Sequence, residues 1–269
     1  MDIVLYTFLQ LLRSGSFGLS ARVRPLSPYK WKKVVELTCL HDVADLIWKG
    51  VRRQSAIPTM NIPGPQRDEI AKRAGAKRLS MADHYPLSTA TLPGKRANQR
   101  LGTIKDESHS KDVTRETLLI FSLLTHNTER MLNTGFHLRG LIDLGVALRA
   151  IGDKVDYVLI DKWLDQTSMR RMAQLQASIL MDLFDFDADE FPFMRRKEKN
   201  AGLLAVKCIP NIQMLSNPGD ENAEGYMNDN KRRLSKGIHR MNIYFRYSPS
   251  GSFKSMLNSM ADGLSQIEE

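Results

Sequence analysis

The stretch from Thr114 to Gly152 constrains this chain more than any other. It holds two apolar segments of helical period separated by one short break, Asn133-Thr-Gly135, and that spacing calls for a helical hairpin. In the first segment Leu118, Leu119, Phe121, Ser122 and Leu124 cover most of the helix circumference, so it must lie between neighbours. Thr114 is placed to cap it, and Glu116 sits where the helix dipole favours a negative charge. The second segment begins near His137 and carries Leu138, Leu141, Ile142, Val146 and Leu148 as its stripe.

Arg139 and Asp143 lie within that stripe, one turn apart and able to pair. His126, on the first helix, reaches them if the two helices pack antiparallel. The trio is the candidate catalytic group of the chain. It also reads as a satisfied polar cluster that fixes helix register, because buried charges are tolerated only when paired. The structural reading is the expected one.

The apolar helix with His126, followed by Gly135-Phe-His-Leu-Arg-Gly-Leu-Ile-Asp143, resembles the helical C-terminal part of a family of uncharacterised bacterial nucleotidyltransferase-like proteins common in gut Bacteroidetes. Leu11-Leu-Arg-Ser-Gly15 and Pro25-Leu-Ser-Pro-Tyr-Lys-Trp31 are similar to that family's N-terminal helical segment, and Tyr247-Ser-Pro-Ser-Gly-Ser-Phe253 to its closing segment. The resemblance implies an α/β catalytic domain with a Gly-Ser turn and an Asp-x-Asp pair that holds magnesium. It would fall between the N-terminal helices and the Thr114 hairpin. Ile57 to Asp112 is too short for that domain and contains neither motif. The resemblance therefore implies a homologue without its catalytic core, acting as a binding or scaffold module.

Taken in order, Met1 to Ser14 reads as a helix ended by Gly15 as its C-cap. Ser27 caps a second helix with Pro28 in its first turn. Trp31, Val34, Val35, Leu37, Leu40, Val43, Leu46 and Ile47 form its apolar face, with a break between Leu40 and Val43. His41-Asp42, at that break, reads as a cap or surface pair. Prolines, glycines and an excess of basic residues mark 57–112 as a linker that is disordered or loosely docked, with Glu69 to Leu79 its one helical piece. The expected organisation is thus all-α: an N-terminal helical segment at 1–56, the basic linker at 57–112, and a C-terminal helical domain at 113–269.

Asp156 and Ser168 are placed to cap the next two helices. Asp185-Phe-Asp187-Ala-Asp189-Glu190 follows, and alternating carboxylates of this kind can hold a hard cation. An EF-hand loop would need Gly at Glu190 and an acid at Arg196, so the metal candidates Asp185, Asp187 and Asp189 also read as an acidic surface loop. Further on, Lys231 to Tyr247 reads as a basic helix with Leu234, Ile238, Met241 and Phe245 on one face. Ser252 then caps a last helix, whose stripe of Phe253, Met256, Leu257, Met260, Ala261, Leu264 and Ile267 suits the bundle or a protein partner.

A net charge of +9 suits an anionic partner. The basic residues are scattered, however, without interleaved aromatic side chains, so weak non-specific nucleic-acid binding is the expectation. Two distant cysteines, Cys39 and Cys208, fit buried thiols in a reducing compartment. No apolar run is long enough to span a membrane and the N-terminus lacks a signal-peptide pattern, which places the chain in the cytoplasm. No cofactor is expected, apart from magnesium if residual nucleotidyl or phosphotransfer runs on the acidic loop.

Overall fold

The computed structural model describes residues 1–54, 60–76, 78–109, 112–211, 235 and 237–265. These form an all-α protein with no strand among the described residues. The first helices are α1 (Ile3–Phe17), α2 (Pro28–Leu40), α3 (Ala44–Gln54) and α4 (Gly64–Ala74). They are followed by α5 (Met81–His84), α6 (Lys95–Glu107), α7 (Arg115–Asn133) and α8 (Leu138–Ile151). Then come α9 (Tyr157–Gln166), α10 (Arg170–Phe184), α11 (Ala201–Asn211), α12 (237–244) and α13 (Pro249–Ser265).

Local chemistry explains most of the boundaries. Ser27, Thr114 and Asp156 each accept a hydrogen bond from the amide three residues on, which satisfies a donor the helix cannot pair internally. α1 packs on α2 and α3, and also touches α8 and α10, so it joins the N-terminal helices to the central hairpin. α7 lies against α8, α9, α10 and α13. One hydrophobic cluster runs through all of this, from Phe8, Leu12 and Trp31 to Phe121, Leu141, Trp163 and Phe184.

The structure corrects several sequence expectations. Gly15 does not end α1, which continues to Phe17 and is closed by Gly18 at φ 72, its amide donating to Ser14 O at 3.1 Å. Gly15 instead lies where α1 crosses α3. The interval 57–112 is not a disordered linker over its described residues. It contributes α4, α5 and α6, and buries Ile70, Tyr85, Ala90, Leu92, Leu101 and Ile104 in the shared core. α4 and α6 offer only one and two buried apolar anchors, and α5 none within the helix itself, but fully burying an Ile or Leu is worth about 1.5–3 kcal/mol. That suffices to dock a short helix on an existing surface.

Ser168 is not a helix cap; it adopts a left-handed φ of 59, and Met169 takes the N-cap position of α10. α12 turns Tyr244 inward and leaves Ile238 and Phe245 41% and 50% exposed, the reverse of the expected face. α13 begins at Pro249, ahead of Ser252. It docks on α7 through its small side, with Gly251, Ser252 and Ser255 buried and Ser255 Oγ donating to Leu132 O at 2.7 Å. Phe253 and Leu257 point to solvent, 50% and 38% exposed. The expected anchors Leu234 and Ile267, and the side chains of Met260, Ala261 and Leu264, lie outside the described residues.

Candidate functional site

The α7–α8 hairpin brings charged side chains to the seam between the N-terminal helices and the central bundle. Arg139 Nε donates to both carboxylate oxygens of Asp143, at 3.0 and 2.9 Å. The helical spacing of four residues makes that reach possible. Asp143 is only 3% exposed, so its charge must be compensated in place. Arg139 Nη1 donates onward to Asp45 Oδ1 of α3 at 2.8 Å. Arg78, from the segment between α4 and α5, donates to both Asp42 oxygens and lies 3.1 Å from Asp45.

The remaining acceptor capacity of Asp143 is taken by Tyr85, whose hydroxyl donates to Oδ2 at 2.8 Å. Tyr85 is itself 2% exposed. Burial, and then the neighbouring Asp143 charge, raise its phenol above the ordinary tyrosine range, so it is a proton donor and not a base. His126 does not join the Arg139–Asp143 pair directly. Its Nε2 meets Pro86 O at 3.0 Å, its Nδ1 lies 3.8 Å from Glu129, and its ring stands 5.8 Å from that of Tyr85. His84 packs edge-on against Tyr85 at 4.6 Å, and burial followed by the Arg130 charge lowers its pKa.

The cluster thus ties α3, the Arg78–Tyr85 segment, α7 and α8 together. Each guanidinium meets carboxylates and each of its buried acids meets a donor. Two of the residues that the sequence reading does not single out, Tyr85 and Arg78, come from the interval 57–112. Asp45, in the first turn of α3, is a third cluster residue that the sequence reading does not single out.

His41 and Asp42 part company. His41 is completely buried: its Nδ1 accepts from Leu138 N at 3.3 Å and its Nε2 faces Ile209 O at 3.3 Å. Burial pushes its pKa down to about 3, which keeps the ring neutral. Asp42 is exposed and holds Arg78.

The acidic loop is committed to structure. Asp185 pairs with Arg13, and Glu190 takes Arg149 Nε at 2.6 Å and the Asp187 amide at 2.9 Å. Arg149 also lies 3.7 Å over the Phe186 ring, which pins the loop to α8. Asp189 is exposed. Among the described residues no group of three or more His, Cys, Asp or Glu side chains is arranged to hold a metal ion, so Asp185, Asp187 and Asp189 do not converge on one point.

Fold and site together define an all-α protein organised around a paired polar clamp. Over 113 residues the chain is 34% identical to the uncharacterized mitochondrial protein AtMg00120 of Arabidopsis thaliana, covering 40% of this chain and 68% of that protein. The chain belongs to the family of that protein. No family model and no solved structure matches it. The resemblance to bacterial nucleotidyltransferase-like proteins is therefore corrected: the relative is a plant mitochondrial protein, and no nucleotidyltransferase family is indicated. No helix among the described residues is long and apolar enough to cross a membrane.

Proposed function

We propose that this protein is a helical scaffold module that presents α13 to a protein partner. The orientation of α13 carries the reading. The helix spends its small residues on α7 and leaves Phe253 and Leu257 in water, where isolated large apolar side chains gain nothing but a contiguous pair suits an interface. The central cluster supports the same reading, because its carboxylates and guanidiniums are consumed by one another. Phosphotransfer at the acidic loop is set aside, since Asp185 and Glu190 already hold Arg13 and Arg149. Scattered basic side chains add weak, salt-sensitive nucleic-acid binding as a secondary property.

The proposed setting is the cytoplasm. Cys39 and Cys208 are both free thiols, and burial pushes the Cys208 thiol up to about 11, which suits a reducing interior. The mitochondrial setting belongs to the Arabidopsis relative; an organelle interior would meet the same requirement.

A photo-crosslinking residue in place of Phe253 tests the proposal, with one in place of the 82% exposed Val158 as control. A discrete adduct formed in cell extract from position 253 and not from 158 is expected. It should vanish in Leu257→Ser without a change in thermal midpoint. Equal labelling from both positions would contradict the proposal.

A further inference from the structure

One cleft, of about 440 Å³, is lined by three cationic side chains, Lys95, Arg96 and Arg100, and by no acidic one. It is bounded by α6, α7, the turn between α9 and α10, and the turn between α12 and α13. Lys95 and Arg96 are exposed and enter no ion pair among the described residues. Arg100 donates to Gln166 O at 2.8 Å, which answers the negative end of α9 where that helix meets the cleft. The charged side chains that line the cleft are therefore all cationic.

Two helices open on the same space. Gly94, the N-cap of α6, has no side chain to offer the first-turn amides, and the first intrahelical bond runs from Asn98 N to Gly94 O at 3.0 Å. The amides of Lys95, Arg96 and Ala97 are left without a helical acceptor. At α13 the first such bond is Ser252 N to Ser248 O at 2.8 Å, which leaves the amides of Ser250 and Gly251. Gly251 permits the close approach: a Cβ there would overlap Ser248 Oγ and stand 3.1 Å from Leu132 Cδ1. Leu92, Leu132 and Met169 give the cleft an apolar wall.

We propose that this cleft binds a small organic phosphomonoester. The phosphate sits between Lys95, Arg96 and the first-turn amides of α6 and α13, while the organic group rests on Leu92, Leu132 and Met169. A phosphate dianion suits the site because it offers several acceptors at once to divergent N–H donors and to two cations. The volume matches a small-molecule site, with an apolar wall beside a few convergent polar groups. The site is separate from the α13 surface proposed for a protein partner, so either can fail alone.

Inorganic phosphate and phenyl phosphate are the probes, titrated calorimetrically into the whole chain at constant ionic strength against chloride. Phenyl phosphate should bind about tenfold more tightly, the gain of placing one ring on an apolar wall. Lys95→Gln/Arg96→Gln should abolish binding. Ser250→Asp should abolish it too, and it keeps the fold testable, because an acid in the first turn of α13 favours the helix while repelling the anion. Loss of binding in both variants at unchanged thermal midpoint supports the site. Binding of neither probe, or binding retained in either variant, would overturn it. Equal affinity for the two probes would overturn the assignment of the organic group to the apolar wall.

Discussion

Gly15 and Gly50 face each other where α1 crosses α3. A Cβ on Gly15 would overlap the Leu46 carbonyl oxygen and stand 2.8 Å from the Gly50 amide, and one on Gly50 would stand 2.9 Å from Leu11 C. Backbone meets backbone there, so no side chain can yield. Inserting a methyl group into such a contact costs about 1–3 kcal/mol or more. Gly15→Ala and Gly50→Ala should each lower the unfolding free energy read from urea titration by that amount, whereas Gly102→Ala, with nothing within 4 Å, should not. Gly102→Ala should be neutral or stabilising, since it sits within α6.

Acid should weaken the protein through His41. Burial holds its folded pKa at about 3, against 6.5 for an ordinary histidine. The unfolded chain therefore binds the extra proton first, and the contribution is fully present above pH 6.5 and lost as pH falls toward 3. The slope from this one residue is at most about 1.4 kcal/mol per pH unit. His84 and His137, also lowered chiefly by burial, add with the same sign. Unfolding followed between pH 7 and 4 should show falling stability, with a shallower slope in His41→Gln. An unchanged slope in that variant would remove His41 from the account.

The hairpin was legible because its apolar residues recur at helical period and its caps are short-range chemistry: Thr114, Asp156 and the Arg139–Asp143 spacing all act within four residues. Tyr85 was not legible. Its partner lies 58 residues away, and nothing local in Asp83-His84-Tyr85-Pro86 signals a buried phenol. α4 was legible only in part: Glu69 to Leu79 reads as helical whereas the helix runs Gly64–Ala74, since Ile70 is its one fully buried residue and a single anchor fixes no bounds. Gly15 reads alike as a helix stop or a helix contact until the second helix is in place. The outward turn of α13 was hidden because Phe253 and Leu257 are more apolar than the Gly251, Ser252 and Ser255 that dock.

The segment carrying Tyr85 should be held by its phenol. Tyr85→Phe leaves the Asp143 carboxylate short of one donor, and an unmet buried acceptor costs about 1–3 kcal/mol. Hydrogen exchange should show faster opening around 81–90 in that variant than elsewhere. Uniform acceleration across α7 and α8 would place the effect in the hairpin and not in the docking of this segment.

The acidic loop should act through ion pairs on the surface. Asp185→Ala removes the contact with Arg13, and exposed pairs contribute about 0–1 kcal/mol. Asp189→Ala should have no measurable effect. Both should leave the thermal midpoint insensitive to millimolar magnesium. A magnesium-dependent rise in the parent protein that disappears in Asp185→Ala would make the loop a metal site.

The clamp itself is tested most directly by a double-mutant cycle on Arg139 and Asp143, read by urea unfolding. Asp143→Ala alone should cost about 3–5 kcal/mol, because it strips a buried guanidinium of its main partner. The double variant Arg139→Ala/Asp143→Ala should cost less than the two single changes added together, with an interaction energy of about 1–3 kcal/mol. Single effects that add to within about 0.5 kcal/mol, or an Asp143→Ala no more costly than Asp189→Ala, would contradict the claim that this pair is the centre of the cluster that joins α8 to Asp45 and Tyr85.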